Sequence, residues 1–229
     1  MFCRCATSGF HSSNSLRNAR ATSPDQMLRR VVELVSSRIP RTFGLDPLAD
    51  IQVLTPMRKN QLGSDNLNLL LQQALNPRGA SVQRFGRTYR VGDRVMQVRN
   101  NYDRDVFNGD IGFIEAVDEE DQTLSVSYDG RSVVYELSEL DEIVHAFATS
   151  IHKSQGSEYP AAVVVLATQH FKLLQRNLLY TAVTRGRKLV CLVASRKAIE
   201  IALRNNEIRL RRTTLCDYLR GTQPVVQGE

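Results

Sequence analysis

The sequence predicts an α/β protein: a parallel β-sheet with helices on both faces, interrupted by a small antiparallel β-barrel. Two continuous apolar runs, Ala161 to Leu166 and Leu189 to Val193, are separated by a segment long enough for a helix. Such runs are typical of parallel strands buried on both faces. Between residues 89 and 137 the pattern changes to short alternating segments with turn signals. That pattern indicates a small closed barrel inserted into the sheet domain.

The amino-terminal residues 1–22 contain many Ser and Arg and no acid. We predict that this segment is disordered. An organelle transit peptide is the alternative, although no clear amphipathic face supports it. The string Ser23-Pro24-Asp25-Gln26 then predicts a helix start, because it supplies a cap, a proline at the first helical position and an early acid. The apolar face of this helix continues up to Pro40.

The next elements are a strand and a helix. Ile51 to Leu54 predicts a core strand. Gly63-Ser64 opens a second helix that ends at Asn76-Pro77. The apolar face predicted for this helix comprises Leu67, Leu70, Leu71, Ala74 and Leu75.

The predicted barrel strands are Val91–Val98, Asp110–Val117, Gln122–Tyr128 and Arg131–Leu137. Asn108-Gly109 and Asp129-Gly130 are strong hairpin signals. The acidic string Asp118 to Asp121 imitates the end of a magnesium-binding strand. Because the preceding strand alternates and another strand follows at once, we predict a solvated hairpin tip.

Beyond the barrel, the pattern predicts a helix containing Leu174, Leu178 and Val183 and another capped by Ser195. A short final helix is predicted around Leu215 to Leu219. The tail 221–229 is predicted to be disordered.

Composition excludes some classes of protein. No apolar run reaches the 18 or so residues of a membrane span, and the four cysteines show no metal-like or disulfide pattern. We therefore expect a cytoplasmic protein without a membrane partner. Residues 101–142 hold 13 of the 24 acidic residues but only two of the 30 basic ones. The rest of the chain is strongly basic, which is typical of a protein that follows a phosphate backbone.

Three ordered motifs resemble those of superfamily 1 helicases, most closely the RecD-like branch. HKSQGSEY, from His152, resembles motif V, and NLLYTAVTRGRK, from Asn177, resembles motif VI. Upstream, the segment from Ile51 to Arg58 resembles motif IV. The resemblance covers roughly residues 26–220. It implies a second RecA-like motor domain, formed by 23–84 and 142–220, with an SH3-like barrel inserted at 85–141.

The resemblance also implies roles at the ATP cleft, which we expect at the carboxyl ends of the strands. Arg185 would be an arginine finger that stabilises charge on the γ-phosphate; the alternative is a cation that offsets a helix dipole. Gly156 and Glu158 would approach the nucleotide and its sugar, unless they form an ordinary turn. Arg58, or Lys59, would make a second γ-phosphate contact, although a solvated surface cation is nearly as well supported.

On the DNA side, the resemblance implies that Ser150, His152 and Lys153 contact phosphates without reading bases. A structural role for His152 is equally well supported. In the barrel, Arg94, Arg99 and Arg104 would touch phosphate, and Tyr102 or Phe107 would stack on a base.

The function implied is the C-terminal part of an ATP-dependent DNA helicase that moves 5′ to 3′ on single-stranded DNA. The sequence contains no Gly-x-x-x-x-Gly-Lys-Ser/Thr loop. ATP with Mg²⁺ would therefore bind only when an N-terminal RecA-like motor domain of the parent protein completes the cleft, and the chain alone is predicted to be inactive. One alternative is a non-enzymatic nucleic-acid-binding module derived from a helicase. Another is a small enzyme that uses His152 and Glu158 as acid and base.

Overall fold

The computed structural model describes residues 23–206 and a short strand at residues 3–5. The elements before the insert are β1 (Cys3–Cys5), α1 (Pro24–Glu33), a π-helical turn (Leu34–Arg38), α2 (Ile39–Phe43), β2 (Ile51–Thr55) and α3 (Ser64–Leu75). The insert contains β3 (Ser81–Arg84), β4 (Arg87–Arg90), β5 (Arg94–Gln97), β6 (Ile111–Asp118), β7 (Thr123–Tyr128), β8 (Arg131–Glu136), a 3₁₀ turn (Leu137–Glu142) and β9 (Ile143–His145). After it come β10 (Ala148–Ser150), β11 (Tyr159–Leu166), a 3₁₀ turn (Thr168–His170), α4 (Arg176–Val183), β12 (Gly186–Ala194) and α5 (Arg196–Arg204).

The larger sheet has the strand order β1-β12-β11-β2-β10. All its strands are parallel except β1, which pairs antiparallel with β12. The predicted parallel sheet is therefore confirmed. β1 lies within the segment predicted to be disordered. It pairs with β12, whose outer backbone N–H and C=O groups would otherwise lack a neighbouring strand. The predicted final helix at Leu215 to Leu219 and the tail 221–229 lie outside the described residues.

Helices cover both faces of this sheet, as the sequence predicts. Val163 and Val165 of β11 pack with the side chains of α1, α2 and α3. Ala162, Val164 and Leu166, which alternate with them, pack with those of α4 and α5. Side chains along a strand point to opposite faces in turn, so one apolar run supplies both cores.

The first helix starts as predicted, since Ser23 Oγ accepts from the backbone N–H of Gln26 at 3.3 Å. It does not stop at Pro40. The π-helical turn widens the helix just before the proline, and the chain continues to Phe43, where Gly44 ends it with φ +65°. Proline has no N–H, so a locally altered hydrogen-bond ladder accommodates it. Among the described residues, no helix is long and apolar enough to cross a membrane.

The insert is a five-stranded antiparallel sheet, ordered β8-β7-β6-β5-β9, beside the separate hairpin β3-β4. Both pieces share one apolar core. Its strands extend from Ser81 to His145, a few residues beyond the predicted limits of 85–141 at each end. Asp129 and Gly130, with φ of 49° and 83°, form the predicted two-residue turn.

Asn108-Gly109 is not a hairpin turn, because 13 residues separate β5 from β6 and a bridge between Asn101 and Val106 orders that excursion. The acidic tip is a turn as predicted. Asp118 Oδ1 accepts from the backbone N–H groups of Glu120 at 2.9 Å and Asp121 at 3.0 Å. Within the described ranges, no group of three or more His, Cys, Asp or Glu side chains could hold a metal ion.

A buried polar cluster joins the insert to the sheet domain. Asp93 is fully buried and accepts from Gln72 Nε2 at 2.5 Å, Asn76 Nδ2 at 2.8 Å and the backbone N–H of Arg90 at 2.8 Å. The Nε2 of His145 lies 3.3 Å from the same carboxylate. The face predicted for α3 is therefore partly wrong, because Gln72 is buried there while Ala74 is exposed. These side chains face polar groups of the insert, and buried polar groups need partners.

Candidate nucleotide and nucleic-acid site

The turn between β10 and β11, residues 151–158, carries most of the predicted site. It starts at the carboxyl end of β10 and must return to the amino end of the parallel strand β11. The backbone N–H of Ile151 donates to Thr55 O at 2.9 Å, which ties the turn to the end of β2. Ser154 is buried and its hydroxyl donates to Ile151 O at 2.8 Å. The turn thus crosses the face of the sheet in a fixed path.

Arg185 stands between the carboxyl end of α4 and the start of β12. Its Nε donates to Thr181 O at 3.1 Å, and one terminal nitrogen donates to Ser157 O at 2.9 Å. The other donates to Thr184 Oγ1 at 3.2 Å. Carbonyl groups at a helix end lack intrahelical partners, so α4 offers an acceptor where the guanidinium needs one. All three partners are neutral, and the guanidinium charge is therefore held in place without being neutralised by them.

Gly156 and Glu158 lie beside this arginine along the chain. Gly156 has φ +87°, and a Cβ added there would meet nothing within 4 Å. The positive φ therefore explains why glycine occupies this position. No neighbouring atom of the chain would exclude a side chain there. The Glu158 carboxylate lies 3.3 Å from Nε of Arg187, and both side chains are more than half exposed.

A second cationic group forms at the carboxyl ends of β2 and β10. Arg58 pairs with Asp65 at 3.2 Å in an exposed contact. Burial and the Arg58 guanidinium lower the pKa of Lys153, and Asp65 partly offsets this effect. The Ser150 hydroxyl accepts from the backbone N–H of Lys153 at 3.4 Å. We call Arg58, Ser150 and Lys153 the carboxyl-edge cluster.

The loop that carries Arg58 folds tightly onto the start of α3. The first backbone N–H groups of the helix, from Ser64 and Asp65, donate to Met57 O at 3.0 Å and Arg58 O at 3.1 Å. A Cβ on Gly63 would lie 2.2 Å from Lys59 O and 2.4 Å from Arg58 O. Only glycine fits at this position, so Gly63 positions Arg58.

We therefore expect Gly63→Ala to displace this loop, at a cost of about 1–3 kcal/mol of stability, as is typical of overpacking. Urea unfolding of the chain measures the loss. Lys59→Ala is the control, since it removes an exposed side chain from the same loop without touching its backbone path. If Gly63→Ala unfolds at the same urea concentration as the unaltered chain, the tight turn does not contribute to stability.

The structure separates Arg58 from Arg185. The start of β12 at Gly186 pairs with Tyr159, and Ala161 of β11 pairs with Ile51 at the start of β2. From that level to the end of β2 at Thr55, the sheet spans six residue steps, or about 20 Å at roughly 3.3 Å per step. The two arginines lie beyond opposite ends of the strands. The structure therefore gives no support for a contact of both arginines with one γ-phosphate. Arg185, Gly156 and Glu158 lie at the amino ends of β12 and β11, whereas the cleft was predicted at the carboxyl ends of the strands.

The prediction that Arg94 contacts DNA is wrong. This residue is 4% exposed, and one of its terminal nitrogens donates to Leu48 O at 2.8 Å and Ile51 O at 3.3 Å. Its guanidinium also lies over the ring of Tyr159, 5.8 Å from the centroid, and burial lowers its pKa. Arg94 binds the insert to the sheet domain. Alternation along β5 does not reveal this, since the partner carbonyls come from distant residues.

The other predicted barrel contacts divide into two kinds. Arg104 donates to both carboxylate oxygens of Glu139, at 2.9 and 2.7 Å, and its guanidinium lies over the Tyr135 ring, so it is committed within the insert. Arg99 is exposed and pairs with Asp141 at 3.0 Å. Tyr102 and Phe107 are 76% and 41% exposed and meet edge to face, 5.9 Å between centroids. Their role stays a prediction.

Sequence reasoning did not identify the residues that hold the two arginines. Thr181 and Ser157 hold Arg185 through backbone carbonyls, which leave no signal in residue type. Asp65 pairs with Arg58 across seven residues. That pair could have been found, because an acid in the first turn of a helix is a recognisable feature.

Two stretches match known families. Residues 67–128 match the ATP-dependent RecD-like DNA helicase SH3 domain, and residues 145–193 match the UvrD-like helicase C-terminal domain. The two regions follow each other in the chain as the predicted insert and second sheet segment do. The matches overlap the acidic insert and the segment that carries Ser150, Lys153 and Arg185.

Curated relatives extend the likeness over most of the chain. The ATP-dependent RecD2 DNA helicase of Deinococcus radiodurans is 37% identical over 203 residues, which is 89% of this chain and 27% of that protein. The RecBCD enzyme subunit RecD of Haemophilus influenzae is 33% identical over 154 residues, 67% of this chain and 23% of that protein. The chain thus spans about a quarter of the length of these relatives.

A solved structure supports the fold. The Pif1 helicase from Bacteroides, in complex with ADP-AlF3 and single-stranded DNA, superposes with a TM-score of 0.51 and 18% identity, covering 87% of this chain and 50% of that one. At 18% identity, the likeness shows the fold alone.

Proposed function

Since the chain belongs to the RecD-like superfamily 1 DNA helicases and corresponds to their C-terminal region, we propose that it is the second motor domain of an enzyme that uses ATP to move along single-stranded DNA. The observation that carries the proposal is the placement of Arg185 at the junction of α4, β12 and the 151–158 turn. Translocation from 5′ to 3′ is part of the proposal, by likeness to the RecD branch.

Arg185 would act on ATP held by an N-terminal motor domain of the parent protein. Its guanidinium is oriented by three neutral oxygens, so its charge remains available to the transferring phosphoryl group. A preoriented cation stabilises the charge that develops in such a transition state. In this proposal Arg185 is the finger, and Arg58 is not a second contact to the same phosphate.

Gly156 and Glu158 would form the nucleotide side of the turn. The Glu158 carboxylate is exposed and its contact with Arg187 is a surface ion pair. Such pairs contribute little to stability, so the carboxylate can exchange that partner for a sugar hydroxyl. Mg²⁺ would arrive with ATP and neutralise phosphate charge. Arg185, Gly156 and Glu158 are the residues of this chain that would border the bound nucleotide.

The carboxyl-edge cluster would bind the DNA backbone, with His152 as its neighbour on the turn. Arg58 and Lys153 are exposed cations on adjoining loops, and Ser150 supplies a hydroxyl that accepts from the backbone N–H of Lys153. This set can contact phosphates without reading sequence. We accordingly reassign Arg58 from the nucleotide to the strand. Arg99, with Tyr102 and Phe107, would extend the track onto the near edge of the insert.

Salt dependence tests this assignment. Removing one cation that binds a phosphate of a single strand should flatten the plot of log affinity against log salt by about 0.7. We expect Arg58→Ala and Lys153→Ala each to produce that change. Neutralising the acidic tip, Asp118 to Asp121, should leave binding unchanged or slightly tighter, because repulsion of the strand is reduced. Fluorescence anisotropy with a labelled oligonucleotide measures both effects.

Arg41→Ala is the matched control, since Arg41 is an exposed cation on α2 and does not belong to the carboxyl-edge cluster. The plot of log affinity against log salt should have the same slope for Arg41→Ala as for the unaltered chain. If Arg41→Ala flattens the plot as much as Lys153→Ala does, the effect reflects total charge and no defined track. If the acidic-tip variant binds much more weakly while folded, the insert's acidic surface is part of the DNA path.

A further inference from the structure

A small cavity lies between the 151–158 turn and α4. Its volume is about 150 Å³. A cavity of about that size accommodates a benzene-sized ring. Two leucines, Leu173 and Leu178, supply apolar surface, and the remaining lining comes from polar side chains of the turn and the helix: His152, Gln155, Gln175, Asn177 and Thr181.

The lining chemistry suits a flat, neutral, hydrogen-bonding ring. Three carboxamides and a hydroxyl offer both donors and acceptors, and the lining includes no Lys, Arg, Asp or Glu. Within the described part of the chain, the side chains of Gln155, Gln175 and Asn177 have no hydrogen-bond partner. Carboxamides pair with the edges of nucleobases, and proteins read single strands through unstacked bases held in this way. A phosphate or a carboxylate would find no lysine or arginine here.

The position of the cavity relates it to the strand. His152 and Gln155 flank Lys153 on the same turn, and Lys153 belongs to the carboxyl-edge cluster. A strand with a phosphate on Lys153 would therefore lie beside two residues that line the cavity. We propose that the cavity between the 151–158 turn and α4 receives one pyrimidine base of the bound single strand.

This inference rests on the proposed function, since it takes the strand to follow the carboxyl-edge cluster. A nucleobase could also come from ATP, because Thr181 supplies one wall of the cavity and its carbonyl accepts from Arg185. The experiment therefore has to separate a base of the strand from the base of a nucleotide, and a base contact from a phosphate contact.

The test compares a labelled thymidine oligomer with an abasic oligomer of the same length. The abasic strand keeps the phosphates and lacks the bases. We expect the double variant Gln155→Ala/Asn177→Ala to bind the thymidine oligomer about tenfold more weakly, within the range for one hydrogen-bonded base contact, and to bind the abasic oligomer unchanged. Both side chains are exposed, so their removal should leave the fold intact. Gln73→Ala, an exposed carboxamide on α3, is the control and should change neither affinity.

Three results would overturn the inference: equal losses for both oligomers, no loss for either, or a raised KM for ATP in the complete protein with thymidine affinity unchanged. The proposed function fails in a different way. If the unaltered chain binds neither oligomer with a salt dependence, the phosphate track itself is absent. If it binds both oligomers and the double variant matches it, only the base site is wrong.

Discussion

Replacing Arg185 with alanine in the complete protein should lower ATP turnover by about 10³-fold or more, while affinity for single-stranded DNA changes little. Arginine fingers contribute about 10³ to 10⁵ in rate, and the proposed role of Arg185 concerns only the phosphoryl group. Arg185→Lys should fail nearly as badly. A lysine keeps the charge but lacks the planar fork that reaches Thr181 O, Ser157 O and Thr184 Oγ1 together. Steady-state turnover and anisotropy measure the two effects separately.

Arg196→Ala is the matched control for this experiment. Arg196 is an exposed arginine on α5 that pairs with Glu200 at 2.9 Å. Its removal should leave turnover and strand affinity unaltered. Because the Arg185 guanidinium also holds the 151–158 turn through Ser157, thermal unfolding must be measured alongside. Parallel losses of turnover and DNA affinity would assign Arg185 to the strand or to folding, and the finger would be wrong.

Asp93→Ala should produce the largest loss of stability, about 3 kcal/mol or more. Its carboxylate is fully buried and accepts from Gln72, Asn76 and the backbone of Arg90. Gln72 and Asn76 would each keep one other acceptor, Thr88 O and Val91 O, but each donor would lose its bond to the carboxylate. Each N–H left buried and unsatisfied costs about 1–3 kcal/mol. Asp93→Asn should be intermediate, because the amide keeps the shape and one acceptor oxygen. Urea unfolding of the chain measures the loss.

The control for this loss is Asp103→Ala, which removes an exposed carboxylate from the same insert and should shift the urea midpoint little. A small effect of Asp93→Ala would show that the polar cluster does not hold the insert to the sheet domain. The expected large effect has a functional consequence. The cluster fixes the insert against α3, and Arg94 fixes it against the start of β2. The exposed pair Tyr102 and Phe107 therefore keeps a defined position relative to the sheet domain.

Local chemistry made much of the fold predictable. Continuous apolar runs identified β11 and β12, since strands buried on both faces need no alternation. Ser23, Ser195 and Gly63 marked helix starts through cap and turn preferences that depend on near neighbours alone. Asp129-Gly130 predicted its turn because both positions require positive φ. Two local predictions failed: at Pro40 a π-helical turn accommodates the proline, and at Asn108-Gly109 a long excursion replaces a hairpin.

The site divides in the same way. By itself, the sequence determined the order of the three motifs, the basic body and the identity of Arg185, Lys153 and Glu158 as candidates, because these depend on residue type and spacing. Only the tertiary structure decided whether each of them lies at the carboxyl end or the amino end of the parallel strands. Within eight residues the 151–158 turn runs from the carboxyl end of β10 to the amino end of β11, so residues of one motif lie at both ends of the strands. Arg94 is buried for the same kind of reason. Its partners are the carbonyl groups of Leu48 and Ile51, more than 40 residues away in the chain, and no local pattern predicts a contact that depends on the packing of two domains.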